Sequence, residues 1–170
     1  MPILPAVRDA RFITIRRGGT LTDADHRLLA QWAIACAEHV LPLFENQVTD
    51  DLRPRTALDT ARAWVRGDVP MKVAHQAAFA ANAAGRGLPD QARFAALAAG
   101  QAVAVAHVAA HELGAAAYEI RAVAASSDRP LDAGLAERDW QRERLPAAIR
   151  ELVLDDQRLR DDICWGVFGG

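Results

Sequence analysis

Apolar residues recur at helical spacing through most of the chain. Leu28, Leu29, Trp32, Cys36, Val40 and Leu43 outline a first helix, and Thr22 followed three residues later by Asp25 supplies its capping signal. Pro42 lies near the end of that helix, where it kinks or terminates the last turn. Ala57, Leu58, Ala61, Trp64 and Val65 outline a second helix, with Pro54 suited to the first turn and Gly67 to a C-terminal cap. Asp68 and Pro70 open a third, carried by Val73, Ala77, Phe79 and Ala80 and ended by Gly85-Arg86-Gly87. Pro89 and Asp90 open an alanine-rich fourth segment that can run to about Ser126, with Gly114 the expected point of a break or bend. One segment departs from this spacing. Phe12 to Ile15 alternates apolar and polar residues ahead of Gly18-Gly19, which predicts a short strand or extended arm within 1–20, although no second strand of similar strength is present to pair with it.

Beyond the fourth segment the chain turns polar, and 126–134 reads as a surface loop. Residues 135–170 then form a charged helical arm around Trp140, Leu145, Ile149, Leu152 and Val153, kinked or split by Pro146. Trp165 and Phe168 are large apolar side chains in a polar tail, so they are expected to dock on the body or on another subunit, and a homo-oligomer is one reading. The resulting fold class is all-α: a single helical domain over 1–170, a bundle of about five to seven helices around a long Ala-rich central helix.

Composition narrows the function classes. Twenty Lys+Arg against 22 Asp+Glu leave a formal charge of −2, which lacks the basic excess of a dedicated nucleic-acid or membrane-surface binder. The longest uncharged stretch, Phe94 to His111, is half alanine and includes Gln101, His107 and His111, so it reads as a buried helix and not a membrane span. Two cysteines are too few for a disulfide framework, and the segment before Gly18 has no apolar run of signal-peptide length, so the expected location is cytoplasmic. No phosphate-binding GxxxxGK[ST] run, no GxGxxG after a strand and no paired CxxC occurs, and no cofactor is implied.

The most suggestive chemistry lies on the fourth segment. At helical spacing Gly100, His107, His111, Gly114 and Tyr118 fall on roughly one face. His107 and His111, four apart, could chelate one metal ion, with His75 and Glu112 or Glu119 as further ligands if the fold brings them close. Val108 stands where the HExxH of a zinc protease needs its glutamate, so a tight, hydrogen-bonded helix crossing is the heavier reading. His75 and Asn82 share a face of the third segment and could complete a polar cluster with His107, His111 and Tyr118, either binding a small ligand or satisfying itself. Cys36 and His39 are close enough for thiol and imidazole to meet, without a third group to orient them. Arg53 and Arg55 form a candidate anion clamp, against the plainer alternative of capping or ion pairing with Asp50 or Asp51. The four tryptophans are spread one per region, as core and interface anchors are.

The chain also resembles a family of small bacterial proteins of actinobacterial type, the Imm-like class of immunity proteins. The resemblance rests on Gly18-Gly19-Thr20-Leu21-Thr22 running into Asp25-His26-Arg27-Leu28-Leu29, on Cys36-Ala37-Glu38-His39-Val40-Leu41, and on Arg53-Pro54-Arg55 with Ala61-Arg62-Ala63-Trp64. It continues through Ala99 to Ala104, His107, His111, Gly114-Ala115-Ala116, Tyr118, Asp139-Trp140-Gln141 and Asp162-Ile163-Cys164-Trp165. It implies a protein that neutralises a partner toxin by binding, with no catalytic residue. Some relatives carry the name of an exonuclease subunit, an ATPase for which this chain has neither phosphate loop nor length. Two functions are therefore expected from different classes. One is an immunity-type binding module whose charged arm around Trp140 to Arg160 meets a protein partner. The alternative is a small-ligand or metal-binding sensor or enzyme built on His75, Asn82, His107, His111 and Tyr118.

Overall fold

A computed structural model describes residues 3–169 of the chain. Seven α-helices follow in order: α1 (Asp23–Glu45), α2 (Arg53–Arg66), α3 (Met71–Ala84), α4 (Asp90–Ala104), α5 (Glu112–Ala125), α6 (Pro130–Glu143) and α7 (Ala147–Arg160). The local signals explain most boundaries. The Thr22 hydroxyl accepts from the Asp25 amide at 3.1 Å and opens α1, Pro54 stands in the first turn of α2, and Gly67 ends α2 in the left-handed region at φ 81°. Pro42 does not stop α1, which runs on to Glu45: Pro42 and Glu38, whose carbonyl loses its donor, both lie on the exposed face of the helix, where the lost bond costs least.

Helices α4 and α5 form the centre of the bundle: α4 packs against α1, α3 and α5, and α5 against α1 and α6. α4 is apolar nearly all round, and its alanines are buried on every side. Small side chains let the neighbours approach closely; a Cβ on Gly100 would lie 2.0 Å from Asn82 Oδ1 and 3.3 Å from the Ala78 carbonyl oxygen of α3. Phe44, Leu29 and Leu41 of α1, Leu58 of α2, Leu113 of α5 and Ile149 of α7 supply the bulk that alanine lacks.

The long central helix expected from the sequence is two helices, and the break falls before Gly114. The chain leaves α4 at Val105, passes through an extended Val108 and re-enters through a 3-10 turn at Ala109–His111. No proline or glycine lies in this stretch. Tertiary partners hold it open: His26 Nε2–H donates to the Val105 carbonyl at 2.6 Å and Arg160 to the Ala110 carbonyl at 3.0 Å. Buried carbonyls released from a helix need partners, and here they come from α1 and α7.

The N-terminal segment is not a strand. It forms two 3-10 turns, Ala10–Phe12 and Ile15–Arg17, with a single parallel bridge between Thr14 and Leu21. Asp9 caps the first turn by accepting from the Arg11 amide at 2.8 Å, and Phe12 is buried against the body. Without a partner strand, the alternating residues gain more from local turns than from an unpaired extended backbone. The loop expected at 126–134 is shorter, because Pro130 starts α6 at once. Pro146 splits the charged arm into α6 and α7. The tail folds back on its own chain, with Phe168 buried and Trp165 against Arg121.

Candidate functional site

The α4–α5 break opens one side of the molecule. A cavity of about 170 Å³ lies there between the N-terminal turns, the break and α7. Phe12, Trp64 and Met71 give it an apolar wall, and Arg8, Arg16, Arg17, His26, His107 and Arg160 give it a basic and imidazole wall. Apolar surface with a few convergent polar groups is the usual make-up of a recognition pocket.

The arginines are not equivalent. Arg160 is almost fully buried and ion-pairs with Asp156 and, at 3.5 Å, with Glu112, so its charge is neutralised within the fold. Arg16 pairs with Asp23 at 3.0 Å on the surface. Arg8 and Arg17 are exposed, and no carboxylate among the described residues pairs with either. They leave the cavity mouth with unbalanced positive charge.

His26, His107 and His111 supply polarity rather than charge at neutral pH. His107 stacks on His75 with ring centroids 4.2 Å apart, and His111 lies 5.5 Å from His107. Burial pushes the His107 imidazole down, with His75, Arg8 and Arg17 adding to the effect. His111 is pushed down to about 4, first by burial and then by the neighbouring His107, Arg160 and Arg8, beside which a second cation would be repelled. Its Nδ1 meets Gln101 Oε1 at 2.7 Å, so the ring is held as a neutral donor. His26 is also held down by burial. His107 Nδ1 is buried without a hydrogen-bond partner among the described residues.

The structure brings His75, His107 and His111 together and places the other sequence candidates elsewhere. Asn82 lies two turns along α3 from His75, its Oδ1 buried against Gly100 without a partner. Tyr118 packs between Phe94 and Trp165, because the break interrupts the spacing that would have aligned it with His107. Arg53 pairs with Asp51 and Arg55 with Glu45, each through two hydrogen bonds or more, so both guanidiniums are occupied within the chain. His107 and His111 gain no third ligand; among the described residues, the set of three side chains whose ligand atoms all lie within 4.8 Å is His39, Glu119 and Glu137. Sequence reasoning does not reach Arg8 and Gln101 as functional residues, since nothing local marks an arginine at a cavity mouth or a glutamine that holds a histidine ten residues away.

A model of the Imm-5 like putative immunity protein family matches residues 19–148, about three quarters of the chain. The chain belongs to this family. The matched span includes His26, Trp64 and His107 of the cavity wall, while Arg8 and Arg160 lie outside it. No curated protein matches the chain, and no solved structure does. Among the described residues, no helix of this Imm-5 like protein is long and apolar enough to cross a membrane.

Proposed function

We propose that the chain is a non-catalytic immunity protein that acts in the cytoplasm by binding and neutralising a partner toxin. The family match carries this reading. Within it, the cavity mouth between Arg8, Arg17 and the α4–α5 break is the part of the surface that receives the toxin, through an acidic group of the partner. Two unpaired guanidiniums beside apolar Trp64 and Met71 support this placement, since complementary charge speeds encounter and selects partners while buried aromatic area holds them. The charged arm is a poorer surface for the purpose because many of its side chains are spent internally. Asp155 lies between Arg11 and Arg158, and Arg142 donates to Gln157 Oε1 and the Phe168 carbonyl.

The test is inhibition of a cognate toxin by saturating protein. Loss of toxin activity is expected; a toxin that stays fully active ends the reading. The Arg8→Glu/Arg17→Glu double variant is expected to bind at least about tenfold more weakly and to lose most of the salt dependence of association. An unchanged affinity would move the interface elsewhere on the molecule.

A further inference from the structure

On the side of the bundle built by α1, α5 and α6 lies a second cluster, which owes nothing to the cavity. His39 of α1, Glu119 of α5 and Glu137 of α6 converge on one point. His39 Nδ1 is 3.2 Å from Glu119 Oε1 and 2.5 Å from Glu137 Oε1. We propose that these three side chains form a binding site for one borderline divalent metal ion, of the Zn²⁺ class, that staples the three helices together.

Charge is the first argument. The Glu119 side chain is 0% exposed and that of Glu137 9%, and among the described residues neither has an arginine or lysine partner; His39 alone ion-pairs with both. One imidazole faces two buried carboxyl groups, and two negative charges buried side by side are costly unless protonated or neutralised. Burial and the neighbouring Glu137 push the Glu119 carboxyl well up. A divalent cation neutralises both carboxylates at once.

Geometry is the second. Ligand atoms about 2.0–2.2 Å from a tetrahedral Zn²⁺ sit roughly 3.3 Å from one another. The His39–Glu119 separation already has that value, the His39–Glu137 separation must open by less than about 1 Å, and all three ligand atoms lie within 4.8 Å of one another, so adjustments of flexible glutamate side chains bring them to it. The ligands are also aimed. His39 lies flat on Trp140, ring centroids 3.9 Å apart and planes 7° from parallel, and Arg144 covers the same indole at 3.8 Å. Gln141 Nε2–H donates to Glu119 Oε2 and, at 2.9 Å, to the Ala116 carbonyl. Such outer contacts fix ligand orientation in metal sites. Imidazole favours zinc-like ions over magnesium or calcium, and the buried Cys36 thiol, one turn before His39 and against Glu119, adds a soft donor to the surroundings.

The experiment is calorimetric titration of the full, chelator-stripped chain with Zn²⁺ alone, with Mg²⁺ as control and folding followed by circular dichroism. One equivalent of Zn²⁺ is expected to bind, with proton release and without uptake of Mg²⁺. Affinity is expected to fall at least about tenfold in His39→Asn and in Glu137→Gln, and to be unchanged in His107→Ala. His39 is half-exposed, so its variant carries the test if the glutamate variant fails to fold. Absence of saturable Zn²⁺ uptake, or uptake lost on His107→Ala and kept on His39→Asn, overturns the proposal. Neither result bears on toxin binding at the cavity.

Discussion

The Arg121 guanidinium lies 4.0 Å from the centre of the Trp165 ring and 4.1 Å from that of Phe94, so a single cation is held between a tail residue and a core helix. Trp165 reaches this position with φ at 61°, a left-handed backbone that a side chain of its size seldom adopts, which the contact must outweigh. Trp165→Ala is therefore expected to lower stability by about 1–3 kcal/mol and to loosen the tail. Urea unfolding monitored by circular dichroism checks the first outcome, and amide exchange at Val167 and Phe168 the second.

Arg160 anchors α7 from inside the protein. It bonds Asp156 and Glu112 through their carboxylates and Ile3 and Ala110 through their carbonyls. Arg160→Met keeps most of the volume but leaves two buried acids and two carbonyls without their donor. A loss of about 3–5 kcal/mol is expected, with partial recovery when Asp156→Leu is added. Chemical denaturation of the single and double variants measures both.

Stability is expected to fall on acidification through the histidine range. His111 titrates at about 4 in the fold against 6.5 for an unperturbed imidazole, so between these values the unfolded chain binds more protons than the folded one. The native state loses ground as pH drops through that window, by up to about 3 kcal/mol from this group, with His107 and His26 contributing in the same direction. The raised carboxyl groups of Glu112 and Glu119 have the opposite sign: they favour the fold at low pH, and that contribution is lost as pH rises through their folded values. Denaturation of wild type and His111→Asn across this window isolates the imidazole, and the variant should show the shallower slope.

Two glycines should respond in opposite ways to alanine. A Cβ on Gly114 would lie 2.3 Å from Gln101 Oε1, the acceptor that holds His111, so the glutamine must leave. The helix-propensity gain of at most about 1 kcal/mol does not offset that clash and the lost bond, and a net loss of about 1–2 kcal/mol is expected for Gly114→Ala. A Cβ on Gly134 meets only Ile120 Cγ2 at 3.4 Å and Ala124 Cβ at 3.9 Å. Gly134→Ala should stabilise by about 0.5–1 kcal/mol. Thermal unfolding of the pair decides, and a shift of the His111 imidazole titration on Gly114→Ala would show the loss of its partner directly.

By itself the sequence determined the helical class and most helix boundaries, because caps, prolines and apolar periodicity act within a few residues of where they stand. Thr22, Pro54, Gly67 and Pro146 each mark an end that the structure shows. The docking of Trp165 and Phe168 was legible for a related reason, since large apolar side chains in a polar tail must be covered. Only the tertiary structure decided where the central segment breaks, because the groups that hold Val105 and Ala110 open, His26 and Arg160, lie far away in the chain. That break removed Tyr118 from the histidine stripe and opened the cavity. The convergence of His39, Glu119 and Glu137 was equally invisible, as it depends on how three helices are rotated against one another. Local signals set where helices start and stop; the burial of charges and carbonyls, which is settled between distant segments, set where the sites are.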